Sequence, residues 1–242
     1  MFDLTDKKVL VTGSSQGIGK ELAKALKDNG AIVFAHGSRP SEKLNAAAKY
    51  IGADKIVTGD ISKQGIADDL YAQTGGVDIL ILNASIQTKK KWNEFTEEDF
   101  DSHINCNVKS SYFIIQKYVE YMKEQNWGRI ITIGSVNQFN NHPELALYGM
   151  TKAAQMKLVE NIAPFIAPFG ITINNIAPGA IKTPRNDAAL ADDVFRAKIL
   201  NSIPIGYIGD PKDIVGTALL LSSDEGRYIT GTNITVDGGM SL

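Results

Sequence analysis

Short apolar runs alternate with amphipathic stretches along nearly the whole chain, and this alternation predicts its elements. Residues 8–12 (KVLVT) read as a strand, followed by glycines and an amphipathic helical stretch, 18–27, that Asn29 and Gly30 stop. The same rhythm gives strand 31–35 (AIVFA), helix 41–50, strand 55–58 (KIVT) and helix 62–73. Residues 77–82 (VDILIL) are nearly all apolar, as expected of a strand covered on both faces. A long helical region spans about 97–124, then come strand 129–134 (RIITIG) and helix 148–163, which Pro164 is expected to kink or end. Strand 171–176 (ITINNI), helix 211–222 and strand 233–238 (NITVDG) close the pattern.

Strands that alternate with helices imply right-handed crossovers and a parallel sheet with helices on both faces. The expected class is α/β. No repeat, low-complexity tract or linker interrupts residues 1–242, so one domain is expected. Two segments break the rhythm, 87–96 and 181–209. Long loops in such a sheet commonly act as lids, and 181–209 is the candidate.

Composition narrows the function classes. With 242 residues, 43% of them hydrophobic, the chain can bury a sizeable core. A net charge of −2 gives it no electrostatic reason to seek nucleic acid or an anionic membrane. One cysteine, Cys106, permits no internal disulfide and fits a reducing compartment. That cysteine and three scattered histidines supply no metal cluster, although a carboxylate site stays open. The first apolar run is too short for a signal peptide or a membrane span. The expectation is a cytoplasmic protein whose partner is a small molecule.

Candidate chemistry begins in the first turn, TGSSQGIG (12–19). Gly13 allows the sharp turn, Gly17 lets the backbone approach a pyrophosphate, and Gly19 permits close helix–strand packing. The helix that follows points free N–H groups at phosphate. The second candidate is YGMTK (148–152), in which Tyr148 and Lys152 lie one helical turn apart on the same face. A phenol titrates near 10, and bringing it to about 7 requires roughly 4 kcal/mol in favour of the phenolate. An ammonium about 4 Å away at an effective dielectric near 20 supplies an amount on the order of 4 kcal/mol. Ser135, at the end of the fifth strand, stands where such sheets line a ligand crevice, and its hydroxyl can hold a substrate oxygen beside the tyrosine. Asn107, inside the long helical region, is mildly unfavourable there unless it has a special role.

In this order the segments TGSSQGIG (12–19), Asp60, NAS (83–85), NV (107–108), Ser135, YGMTK (148–152), NNIAPG (174–179) and DGG (237–239) resemble the short-chain dehydrogenase/reductase family over essentially the whole chain. The resemblance implies a seven-stranded Rossmann sheet, a nicotinamide cofactor, interconversion of a ketone and a secondary alcohol, and a homotetramer. It implies Asn107, Ser135, Tyr148 and Lys152 as the catalytic set, with Lys152 also bonding the nicotinamide ribose and Asn107 supporting a water-mediated proton relay. It places cofactor contacts at Gly13, Ser15, Gln16, Gly17, Ile18, Gly19, Asp60, Ile61, Asn83, Ala84 and Ser85. Further contacts fall at Pro178, Gly179, Ile181 and Thr183. One motif departs: the family's Asn-Ala-Gly ends here in Ser85, whose added Cβ and hydroxyl predict a local shift in geometry.

In this fold a carboxylate at the end of the second strand favours NAD. That place falls near Gly37, where no carboxylate stands; Ser38 and Arg39 follow, and either could meet a 2′-phosphate. NADP(H) is therefore favoured, with NAD(H) left open because Gln16 stands where many NADP-using relatives carry a basic residue. For the substrate, Asn137, Gln138, Asn140 and His142 make a polar loop after Ser135, which suits a hydroxylated molecule better than a steroid or a long acyl chain. Lys89, Lys90 and Lys91 read either as a solvated charge run or as an attraction for an anionic substrate. Segments 86–87, 176–183 and 237–240 resemble sugar-acid members such as gluconate dehydrogenases. The alternative within the family is a 3-oxoacyl-carrier-protein reductase, and outside it a non-catalytic nucleotide sensor on the same fold.

Overall fold

Seven strands form where the apolar runs predict them: β1 (Lys8–Val11), β2 (Ile32–Gly37), β3 (Lys55–Thr58), β4 (Ile79–Leu82), β5 (Gly128–Ile133), β6 (Ile171–Pro178) and β7 (Asn233–Val236). In the structure, a computed structural model that describes residues 2–242, they make one parallel sheet in the order β3-β2-β1-β4-β5-β6-β7. Helices α1 (Gly17–Asp28), α2 (Glu42–Ile51), α3 (Ile66–Thr74), α4 (Glu97–His103), α5 (Ser110–Gln125) and α6 (Ala146–Ile166) follow in chain order. The last three are α7 (Asp187–Leu190), α8 (Asp193–Asn201) and α9 (Val215–Ser222).

Side-chain alternation sorts the core into two layers, one on each face of the sheet. Val9, Val11, Ile79 and Ile81 pack against Leu22 and Leu26 of α1, Ile51 of α2 and Ala218 and Leu221 of α9. Leu10, Leu80 and Leu82 turn the other way, onto Leu70 of α3, Ile114, Tyr118 and Met122 of α5 and Val159 of α6. A strand apolar on both sides is satisfied only in such a sandwich, which is why 77–82 lacks polar alternation. The chain runs outward from β1 to β3, then returns across β1 to β4. The strand order reverses between β1 and β4, and their carboxyl ends open the crevice used for ligands in folds of this kind.

Four elements differ from the pattern reading. The helix expected over 62–73 begins only at Ile66, after a turn in which Asp60 Oδ1 accepts from the Ser62 N–H and hydroxyl. The region 97–124 is not one α-helix: a π-helical turn, Ile104–Lys109, separates α4 from α5. At the start of α5 the Ser110 and Ser111 hydroxyls donate back to the carbonyls of Cys106 and Asn107 in that turn, competing for the acceptors of the helix ladder. Pro164 neither ends nor replaces α6, which runs on to Ile166 and tightens into a short 3₁₀ turn, Ala167–Phe169, before Gly170 at φ +70°. The segment 181–209 carries α7 and α8, and its two ends are stitched together by a bridge between Ile181 and Gly209, with Lys182 N donating to Gly209 O at 2.8 Å. No helix among the described residues is long and apolar enough to cross a membrane.

Candidate active site

A cleft of about 600 Å³ lies over the carboxyl ends of β1, β4, β5 and β6. Its floor is the turn between β1 and α1. Gly13 (φ +67°) and Gly17 (φ +54°) sit in the left-handed region that glycine adopts without strain. Gly13 N donates to Nδ1 of His36 at 3.1 Å, so the proton of that ring lies on Nε2, 3.0 Å from the Gly59 carbonyl that accepts it. His36 is buried, and burial pulls its pKa down to about 4 against the raising effects of the Gly59 bond and the Asp60 charge. A neutral imidazole therefore ties the glycine turn to β2 and to the segment after β3. Asn83 Nδ2 donates to the carbonyls of Thr12 (2.9 Å) and Gly13 (3.1 Å), and a Cβ on Gly19 would meet that amide and lie 2.7 Å from the Gly13 oxygen.

The cleft wall gathers most of the residues singled out by sequence: Gly13, Ser15, Gln16, Gly17 and Ile18 from the turn, Ser38 after β2, and Asp60 and Ile61 after β3. It continues with Asn83, Ala84 and Ser85 after β4, Ser135 and Asn137 after β5, and His142 and Tyr148. Pro178, Gly179, Ile181 and Thr183 complete it after β6. Partial burial pushes the Asp60 carboxyl up, but hydrogen bonds from Ser62 and the charge of Lys63 outweigh this and hold it below its ordinary value. Gly19 lies under the wall, as packing for Asn83. Arg39 is exposed and off the wall; the cation that reaches the glycine turn is Lys43 of α2, whose ammonium donates to Gln16 Oε1.

Gln138 is corrected from a substrate contact to a structural bridge. Its Oε1 accepts from Ser135 N at 3.3 Å and Asn175 Nδ2 at 3.2 Å, while its Nε2 donates to Asn233 Oδ1 at 3.0 Å. Its polar atoms are thereby turned toward β6 and β7. Asn137, in contrast, faces the cleft and donates twice to Ser135 Oγ, from its backbone N and from Nδ2, both at 3.2 Å. With those lone pairs engaged, the Ser135 proton is left to point elsewhere. His142 Nδ1 accepts from Glu144 N, and burial together with the Lys89 charge holds the ring below its ordinary pKa.

Tyr148 and Ser135 both line the cleft, and the charge that most opposes burial of the phenol is that of Arg185. Lys152 is buried, with its Nζ donating to Ile133 O and Gln155 Oε1, both at 2.8 Å. It lies 5.6 Å from the centre of the Tyr148 ring. Burial pulls Lys152 down to about 7, and the positive Arg185 adds to the fall. Burial likewise pushes Tyr148 above its ordinary value; the Arg185 charge opposes this first, then the polar contacts of Ser135 and Arg185 with the hydroxyl. The lysine has turned inward because a fully desolvated ammonium needs acceptors, and the β5 end and Gln155 provide them.

Gln155 extends this arrangement. Its Nε2 donates to Ser111 Oγ at 2.7 Å, and the Ser111 hydroxyl donates to the Asn107 carbonyl at 3.0 Å, a buried chain from Lys152 to the π-helical turn. The Asn107 side chain is engaged at both ends: Oδ1 accepts from Ile86 N at 2.9 Å, and Nδ2 donates to Ile86 O and Thr151 Oγ1, both at 3.0 Å. Asn107 therefore clamps the segment after β4 to α6 and lies off the cleft wall. Cys106 does face the cleft, with its thiol pushed up by burial to about 11 and so protonated at neutral pH. Among the described residues no three His, Cys, Asp or Glu side chains gather as a metal site.

Sequence reasoning missed His36, Lys43, Gln155 and Arg185. For Gln155 the signal was available: it lies three residues after Lys152, on the buried side of an amphipathic helix where a polar residue needs a partner. Arg185 carried none beyond its place in the candidate lid. There its guanidinium reaches back to Ser85, with Nη2 to the carbonyl at 2.7 Å and Nη1 and Nη2 to the hydroxyl, each at 3.1 Å.

Known proteins share this fold. Residues 13–241 match the family described as enoyl-(acyl carrier protein) reductase. The 3-oxoacyl-[acyl-carrier-protein] reductase FabG of Rickettsia conorii is 33% identical over 243 residues, covering 100% of both chains. The 3beta-hydroxysteroid dehydrogenase 1 of Eggerthella lenta is 34% identical over 249 residues, covering 99% of this chain and 95% of that one. A crystal structure of a gluconate 5-dehydrogenase from Burkholderia cenocepacia, in complex with NADP and tartrate, superposes with a TM-score of 0.92 at 29% identity, over 99% of this chain and 97% of the other. Relatives this similar act on acyl thioesters, steroids and sugar acids by name, so likeness alone selects no substrate, but fold and family are common to them. The chain belongs to the short-chain dehydrogenase/reductase family and is an oxidoreductase built on a single Rossmann-type sheet.

Proposed function

We propose that the chain interconverts a ketone and a secondary alcohol on a small, polar, carboxylate-bearing molecule, a sugar acid fitting best, with NADP(H) as hydride partner. The observation that carries this reading is the make-up of the substrate end of the cleft. There Ser135 and Tyr148 are flanked by Asn137, His142, Lys89 and Arg185, and Asp60 at the far end is the one carboxylate on the wall. The glycine turn and the α1 N-terminus, where Gln16 makes no side-chain cap, suit a pyrophosphate. The absence of a carboxylate after β2, with Ser38 on the wall and Lys43 at Gln16, supports a 2′-phosphate and hence NADP over NAD. The gluconate 5-dehydrogenase neighbour, in complex with NADP and tartrate, is consistent with both choices.

When bound, the nicotinamide supplies or accepts the hydride. Tyr148 gives its phenolic proton to the carbonyl oxygen in reduction and takes it back in oxidation. Ser135, its oxygen engaged by Asn137, directs its own proton at the same oxygen and stabilises the charge that develops there. Lys152 and Asn107 act as positioning groups beneath the tyrosine, and residues 181–209 close over the cleft. Exposed aromatics on α5 and near the end of α6 (Tyr112, Phe113, Phe165, Phe169) support assembly into a homotetramer, and the single buried cysteine suits the cytoplasm.

The alternative, 3-oxoacyl-carrier-protein reduction, draws on the FabG relative. It would need a basic patch for an acidic carrier. In the run Lys89–Lys91, however, Lys90 is paired with Asp99 at 2.5 Å and Lys91 with Glu94 at 3.8 Å. Turnover of sugar acids, neutral polyols and a 3-oxoacyl thioester, each with NADP(H) and NAD(H), tests the reading. Sugar-acid turnover with NADP(H), falling about a thousandfold in Tyr148→Phe, is the expected result. Preference for the thioester, or a Tyr148→Phe enzyme that still turns over, would overturn it.

A further inference from the structure

We propose that Arg185 is the carboxylate receptor of the substrate site, docked on Ser85 so that one edge of its guanidinium meets the acid group of the molecule whose alcohol or ketone reacts at Tyr148. The inference rests on the oxidoreductase reading above and names the residue that would set its substrate class.

Three features carry it. First, Arg185 docks on Ser85 through the carbonyl at 2.7 Å and the hydroxyl at 3.1 Å, which uses Nη1 and Nη2 but not Nε. A guanidinium has five N–H donors, so those not engaged by Ser85 remain for a bidentate anion. Second, among the described residues no carboxylate lies within 4.0 Å of Arg185 or of Lys89, although both line the cleft. A cation kept beside a reacting centre without an anionic partner is balanced when an anion arrives. Third, Arg185 and Tyr148 line the same cleft, and the guanidinium charge acts on the phenol, opposing the effect of burial. An acid group on the free edge of that guanidinium would lie roughly a few carbons from the carbon that reacts at Tyr148. That span fits short hydroxy acids and sugar acids.

Ser85 has a place in this account. A glycine at that position would leave the carbonyl acceptor but remove the hydroxyl that receives both Nη atoms, and the guanidinium would lose its fixed direction. The departure from the family's Asn-Ala-Gly is thereby read as the dock for a lid residue rather than as a flaw in the cofactor site.

The test is binding of L-tartrate and of its uncharged counterpart L-threitol to the NADP⁺-saturated enzyme by calorimetry. It is run on the wild type, Arg185→Ala, Arg185→Lys and Ser85→Gly. Tartrate should bind the wild type at least about thirtyfold more tightly than threitol. Arg185→Ala should erase that preference, Arg185→Lys keep a small part of it, and Ser85→Gly lower it about threefold to tenfold. Equal binding of tartrate and threitol by the wild type would overturn the assignment. So would an Arg185→Ala enzyme that keeps the preference while losing affinity for NADP⁺, because the arginine would then serve the cofactor phosphates. Turnover on the substrate panel is scored separately. A protein that binds tartrate through Arg185 yet oxidises and reduces nothing refutes the reaction and not the receptor, whereas an active enzyme indifferent to the carboxylate refutes the receptor alone.

Discussion

Replacing Lys152 with methionine should remove a pH dependence of stability that the wild type shows above neutrality. The lysine is fully buried and titrates at about 7 in the folded protein against 10.5 for the free side chain. Between those values the unfolded chain binds a proton that the folded chain does not, so stability rises with pH across the window. Below about 7 the ammonium is charged in both states and its desolvation cost is present in full; above about 10.5 the amine is neutral in both and the cost is gone. The size of the shift makes this roughly 5 kcal/mol.

Methionine is similar in length and carries no charge, but it leaves Ile133 O and Gln155 Oε1 without their donor. An orphaned buried acceptor costs about 1–3 kcal/mol, and this loss does not depend on pH. The difference in thermal midpoint at one pH is therefore not diagnostic, while its slope is. Midpoints of both proteins measured from about pH 6 to about pH 10, at one protein concentration, should separate, with the wild type gaining roughly 10 °C on the variant as pH rises. Titration of Tyr148 and of the other shared groups cancels in the comparison. Parallel curves, or a variant that gains on the wild type as pH rises, would show that burial does not depress this lysine.

Two further substitutions test the cofactor end of the cleft. Gly19→Ala should raise the NADPH dissociation constant about tenfold and lower the thermal midpoint. The new Cβ would push Asn83 off the Thr12 and Gly13 carbonyls, and a fluorescence titration showing neither change would refute that packing. Lys43→Ala should weaken NADPH about tenfold while leaving NADH within about threefold, with Arg39→Ala doing less. If Arg39 instead carries the discrimination, the exposed loop and not α2 reads the 2′-phosphate.

The sheet was legible because its signal is redundant. Val9 and Leu10, or Ile79 and Leu80, are apolar on both faces, and only a doubly covered strand accepts that. The glycine turn and the tyrosine after β5 were legible because backbone conformation and helical spacing constrain residue type at those points. What the sequence concealed were side-chain directions. Nothing in the pattern YGMTK tells whether the lysine faces its tyrosine or the end of β5, since desolvation and acceptor supply decide it and both come from other elements. Gln138 read as a pocket residue because it lies beside Ser135, yet its amide is spent on Asn175 and Asn233, partners far away in the chain. The π-helical turn escaped because the serine hydroxyls that bond back into it resemble ordinary surface polarity in one dimension.

The arrangement also bears on when Tyr148 is reactive. Burial alone makes the phenol a weaker acid, and the nearest ammonium has been drawn down to the β5 carbonyl. The charge that opposes burial most strongly is Arg185, which belongs to neither the sheet nor α6 but to the segment that leaves the core at Ile181 and rejoins it at Gly209. The acidity of Tyr148 is thus coupled to Arg185 of the 181–209 segment. With the guanidinium docked on Ser85, its charge opposes the effect of burial on the phenol; without that charge, burial favours the neutral phenol. The hydrogen bonds that orient Ser135 do not depend on Arg185, because Asn137 and Gln138 supply them.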